Sequence, residues 1–71
     1  MFNAAWNDLA RDRRMTDVMM VNNGSRYFLM NWSGPGHNIV VELHEDLACM
    51  KYDDAYAYLT IMLDLVLAGG E

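Results

Sequence analysis

Asp53-Asp54-Ala55-Tyr56-Ala57-Tyr58-Leu59-Thr60-Ile61-Met62-Leu63-Asp64-Leu65-Val66-Leu67-Ala68-Gly69-Gly70 is the segment around which the rest of the chain must pack. Both of its ends are marked as helix ends. Asp53 and Asp54 fall in the first turn, where free N–H groups and the macrodipole favour negative charge. Gly69 and Gly70 follow the last apolar residue, where a left-handed stop costs glycine nothing. At about 100° per residue, Asp53, Ala57, Thr60 and Asp64 form a wet stripe. Ala55, Tyr58, Leu59, Met62, Leu65 and Val66 lie opposite and are expected to face the core. Tyr56, Leu63 and Leu67 form a further stripe on one flank, and Ile61 sits on the other. So wide an apolar arc has two readings: the most buried helix of a small core, or a helix whose Tyr56/Leu63/Leu67 flank meets a second chain.

The length of 71 residues predicts one domain over residues 1–71. A domain of this size buries only about 60% of its unfolded surface. Hydrophobic residues make up 54% of the chain and methionine occurs seven times, a composition that folds with an adaptable interior. The single Cys49 excludes an internal disulfide and suits a reducing compartment. The first residues lack the basic start and apolar run of a signal peptide. The longest apolar stretch, 61–68, is broken by Asp64 and too short to cross a bilayer. A cytoplasmic location is expected.

The net charge is −5 and unevenly placed. Residues 1–32 carry Arg11, Arg13, Arg14 and Arg26 against Asp8, Asp12 and Asp17, which is +1; residues 33–71 carry seven acids against Lys51, which is −6. An acidic C-terminal half argues against nucleic acid or an anionic membrane as partner and suits a basic protein surface. Acidity also serves simply to keep a hydrophobic small domain in solution.

Asn3 to about Arg14 reads as an amphipathic helix capped by Asn3, with Phe2, Trp6 and Leu9 on one face. Its last turn carries Arg11, Arg13 and Arg14, where cations complement the carbonyl end. Val18–Val21 opens a strand, Asn22-Asn23-Gly24-Ser25 supplies a two-residue turn centred on Asn23-Gly24, and Arg26–Trp32 returns. Ser33–His37 is a loop and Asn38–Leu43 a third strand. Residues 47–52 fit a short fourth strand, an early turn of the last helix, or an irregular link. The expected fold is therefore α+β, ordered α-β-β-β-α, with an antiparallel three-stranded sheet, or a four-stranded one, packed by two helices.

This turn pairs Met20 with Tyr27 and Val18 with Leu29; pairing Trp32 with Asn38 sets Leu29 against Val41 and Tyr27 against Leu43. One sheet face then carries Val18, Met20, Tyr27, Leu29, Ile39, Val41 and Leu43, almost wholly apolar. The other carries Met19, Val21, Arg26, Phe28, Met30, Trp32, Val40 and Glu42. A one-residue slip would mix the two sets. Either the N-terminal helix covers the second face, or both helices share the first and leave Phe28, Met30 and Trp32 open as a binding surface.

Catalytic, cofactor and metal signatures are all missing. Cys49, His37 and His44 have spacings of no zinc site and no evident orienting partner. Cys49 reads as a buried small hydrophobe, and His44 as a neighbour of Glu42. Glu45-Asp46 and Asp53-Asp54 are adjacent pairs that point apart, unlike carboxyls facing across a cleft. Gly34-Pro35-Gly36 lacks the strand–loop–helix setting of a phosphate cradle. Tyr27, Phe28 and Trp32 have no basic groove beside them, as base stacking requires.

Glu42, Glu45, Asp46, Asp53 and Asp54 remain: five carboxylates in thirteen residues, near the sheet end where the last helix begins. Gathered on a small rigid body, they imitate phosphates in a basic groove built for DNA. In size, acidity, these carboxylates and the αβ layout, the chain resembles the small phage-encoded anti-CRISPR proteins, in type rather than by an alignable motif. The resemblance implies a stoichiometric, non-enzymatic inhibitor without cofactor. It would act in the host cytoplasm on a basic DNA-recognition surface of a CRISPR surveillance complex. Arg11, Arg13 and Arg14 restrict such mimicry to one side. The alternative is a homodimerising or subunit-like module that buries Phe28, Met30 and Trp32, or Tyr56, Leu63 and Leu67.

Overall fold

The computed structural model describes residues 2–31 and 39–68. Its elements are α1 (Phe2–Asp12), β1 (Val18–Asn23), β2 (Arg26–Asn31), β3 (Ile39–Glu42), a 3-10 turn (Glu45–Cys49) and α2 (Tyr52–Leu67). The strands form one antiparallel sheet in the order β1-β2-β3. This is the expected α-β-β-β-α arrangement, with the 3-10 turn where a fourth strand was one option. His44 Nδ1 accepts the Asp46 N–H at 3.0 Å and fixes that turn's start.

The β2–β3 register is the expected one, with Leu29 opposite Val41 and the Leu43 N–H donating to the Tyr27 carbonyl at 2.8 Å. The β1–β2 register is shifted by two residues. Met20 lies opposite Leu29, Val18 opposite Asn31, and Asn23 opposite Arg26, so the turn residues are Gly24-Ser25 rather than Asn23-Gly24. Gly24 has φ +68° while Ser25 stays negative, the signature of a type II′ hairpin, which puts glycine first. Because a two-residue shift preserves the alternation, each β1 side chain keeps its expected face.

Both helices share the first face. α2 lies over β2 and β3, and α1 packs chiefly against α2. At the β1 side, α1 reaches the sheet through Phe2, whose ring meets Tyr27 edge-on at 4.7 Å. The centre is Ala5, Trp6 and Leu9 of α1, Val18, Leu29, Leu43 and Leu47, and Ala55, Leu59, Leu63 and Val66 of α2.

Two expectations for α2 are corrected. Leu63, placed on a flank open to a partner, is fully buried, and Leu65, placed in the core, is 38% exposed. The helix is rotated toward its Tyr56 side because α1 occupies that flank; the Tyr56 hydroxyl donates to Asp12 of α1 at 2.8 Å. Leu67 stays exposed beyond the end of α1. Asn3 lies inside α1 rather than capping it.

The end of α1 is a Schellman stop. The Met15 N–H donates to the Ala10 carbonyl at 2.8 Å and the Arg14 N–H to Arg11 at 3.1 Å, with Arg14 left-handed at φ 52°. Arg13 and Arg14 thus lie just past the helix. The second sheet face is uncovered among the described residues: Met19 and Val40 are exposed, and Val21, Phe28 and Met30 half-buried. The expectations for Trp32, His37, Gly34-Pro35-Gly36 and the Gly69-Gly70 stop lie outside the described residues.

Candidate functional site

The acidic set sits on three consecutive pieces of structure. Glu42 ends β3, Glu45 and Asp46 open the 3-10 turn, and Asp53 and Asp54 occupy the first turn of α2. Each is exposed. Glu42 and Glu45 converge on a shallow cleft of about 400 Å³ shared with His44 and Tyr58. Both also line an adjoining cleft of about 310 Å³ with Arg26 and Tyr27. The His44 N–H donates to the Tyr58 hydroxyl at 2.8 Å, which pins α2 to the end of β3. Asp54 lies one turn before Tyr58, on the same side of α2, so it stands toward that corner; Asp53 points to the solvent side.

The cations explain where charge is left over. Arg11 faces Asp8 at 3.1 Å and Asp12 at 3.9 Å, Arg13 faces Asp64 at 3.3 Å, and Arg26 faces Glu42 at 3.7 Å. These exposed pairs contribute about 0–1 kcal/mol each, yet they locate the compensating charge. Among the described residues, Glu45, Asp53 and Asp54 have no ion pair. Asp46 lies 3.5 Å from His44 Nδ1. That nitrogen accepts the Asp46 N–H and so carries a lone pair, which makes the approach no ion pair. Three of the four arginines are thus occupied elsewhere, and the surplus negative charge collects over residues 45–54. Glu42 is the member of the acidic set that an internal arginine partly offsets.

A second constellation escaped the sequence reading. The Tyr52 hydroxyl donates to Asp8 and the Tyr56 hydroxyl to Asp12, linking α2 to α1. The hydrogen bond to Asp8, with desolvation and that carboxylate's charge, pushes the Tyr52 phenol up to about 12. Tyr56 is raised by its bond to Asp12 in the same way. The signal was there to be found: both pairs are spaced i, i+4, one ladder on each helix. It is a structural clamp, with Asp8 and Asp12 held further by Arg11.

Cys49 is exposed rather than buried, and it ends the 3-10 turn. His44 caps that turn instead of pairing with Glu42. Among the described residues no three His, Cys, Asp or Glu side chains are grouped to hold a metal ion, and no helix is long and apolar enough to cross a membrane. Of the apolar interface candidates, Phe28 and Met30 stand on the uncovered face, Tyr56 is half-buried under α1, and Leu63 is core. No protein family, curated protein or solved structure matches the chain.

Proposed function

We propose that this chain is a protein-binding inhibitor without catalytic activity, of the anti-CRISPR kind, acting in the host cytoplasm. Glu45, Asp46, Asp53 and Asp54, with Glu42 at their rim, occupy the basic DNA-recognition surface of a CRISPR surveillance complex. The observation that carries this reading is the leftover charge: cations are matched on α1 and β2, while residues 45–54 hold four acids against Lys51. A rigid anionic corner of this kind steers toward a basic groove and binds there with strong salt dependence.

The test is a quadruple variant, Glu45→Gln, Asp46→Asn, Asp53→Asn and Asp54→Asn, compared with the unaltered chain for binding to such a complex in competition with DNA. Amides keep the shapes and the helix start. Loss of binding with an unchanged circular dichroism spectrum is expected, together with weaker binding of the unaltered chain at high salt. Undiminished inhibition by the folded variant would overturn the proposal.

A second reading, a homodimerising or subunit-like module, is favoured by the uncovered face bearing Met19, Val21, Phe28, Met30 and Val40. Sedimentation of a variant on that face separates the two: a tight dimer that the amide substitutions leave intact and Met30→Lys breaks speaks for the module.

A further inference from the structure

The alternation of hydrogen bonds fixes which backbone groups of β1 are unused. Tyr27 bonds across to β3 through its carbonyl, so Arg26, Phe28 and Met30 serve β1. Opposite them, Asn23, Val21 and Met19 spend their N–H and C=O on β2. Val18, Met20 and Asn22 therefore turn both backbone groups outward, and no partner bonds them among the described residues. Beside this edge runs a groove of about 440 Å³, walled by Asn3, Trp6 and Asn7 of α1 and by Val18, Met20 and Asn22 of the strand.

Monomeric proteins blunt such edges with charge, proline, bulges or brevity. The other edge, β3, is blunted: it is four residues long and contains Glu42. β1 is six residues of Val-Met-Met-Val-Asn-Asn, with no charge, proline or bulge. The lining of its groove is equally uncharged. On a chain of net charge −5, this is a place where two copies meet without opposing like charges.

We propose that β1 pairs antiparallel with β1 of a second copy about a two-fold axis, joining two sheets into one of six strands. Outward residues must face outward residues; an axis through Met20, the middle of the three, sets Met20 opposite Met20 and Val18 opposite Asn22. The two α1 helices then flank the seam through Asn3 and Asn7, both exposed in the single chain. The uncovered sheet face and the acidic corner are not used by this contact, so it stands or falls apart from the inhibitor reading.

Amide hydrogen exchange by NMR, followed from micromolar to millimolar protein, tests it. The amides of Met20 and Asn22 should slow by roughly tenfold or more with concentration, while those of Met19 and Val21 stay protected throughout. In parallel, sedimentation should move to twice the 8.1 kDa chain mass. Asn22→Pro removes an N–H that the single chain does not use, and should abolish both changes. Asn3→Arg with Asn7→Arg, an independent route should the proline variant not fold, should do the same by repulsion across the axis. A chain that stays monomeric at millimolar concentration would overturn the proposal. So would a dimer whose Met20 and Asn22 amides remain fast, or one that both folded variants leave intact.

Discussion

Replacing Leu63 by alanine, with Leu65→Ala as its partner experiment, reads the rotation of α2 directly. Leu63 is fully buried and Leu65 is 38% exposed, although the two are only two residues apart. Removing a fully buried leucine side chain costs about 2–5 kcal/mol, a transfer term plus the cavity left behind. A 71-residue domain has only about 4–10 kcal/mol of stability in all, at about 0.05–0.15 kcal/mol per residue. Leu63→Ala should therefore remove about a fifth of the total or more. With a urea slope of about 1 kcal/mol/M for so small a chain, the midpoint should fall by about 2 M or more, or the protein should unfold outright. Leu65→Ala should stay within about 1 kcal/mol, because much of that side chain is already in water and alanine is the better helix former. Urea melts followed by far-ultraviolet circular dichroism, with unchanged slopes, decide the matter. An equal loss from both variants, or a larger one from Leu65→Ala, would mean that α1 does not cover the Tyr56 flank.

Stability should also fall in alkali through the tyrosine ladder. The Tyr52 phenol is raised from 10.0 to about 12 in the folded chain, so its contribution is complete below about pH 10 and lost as pH rises through about 12. Tyr52→Phe should lower stability at neutral pH and flatten that alkaline decline; urea midpoints across the range, with phenolate absorbance, would show it, and an unchanged slope against pH would refute the link. Arg14→Gly should raise stability by about 0–1.5 kcal/mol. A left-handed side-chain residue costs about 1–2 kcal/mol, from which about 0.5–1 is lost to the greater freedom of glycine when unfolded. A lower thermal midpoint for this variant would show that the arginine side chain contributes more than its backbone costs.

What the sequence disclosed follows from which patterns leave a periodic trace. Strand faces repeat every two residues, so the apolar set from Val18 to Leu43 was legible, and β2–β3 could be registered through Leu29 and Val41. The β1 shift was invisible for the same reason, since moving by two residues changes no face. α2 was legible as a helix from the acids of its first turn and the spacing of its apolar residues. Its rotation was not, because Leu63, Leu65 and Leu67 are chemically alike and only the position of α1 distinguishes them. The 3-10 turn over 45–49 has too short a period to stand out from strand or helix. The positions of the acids were plain in the chain, but which were already matched depended on distant partners: Glu42 meets Arg26 only once the sheet is formed.

Methionine is sorted to the outside of this fold. Among the described residues, none of the eleven buried apolar residues is methionine; Met15, Met20, Met50 and Met62 ring them, and Met19 and Met30 lie on the bare side of the sheet. The middle is built of branched, stiff side chains with one good fit, and the compliant thioethers form its margin. Peroxide reaching this molecule would meet sulfur at the periphery first, and polar sulfoxides at Met15, Met20, Met50 or Met62 would loosen the rim of the packing before its centre.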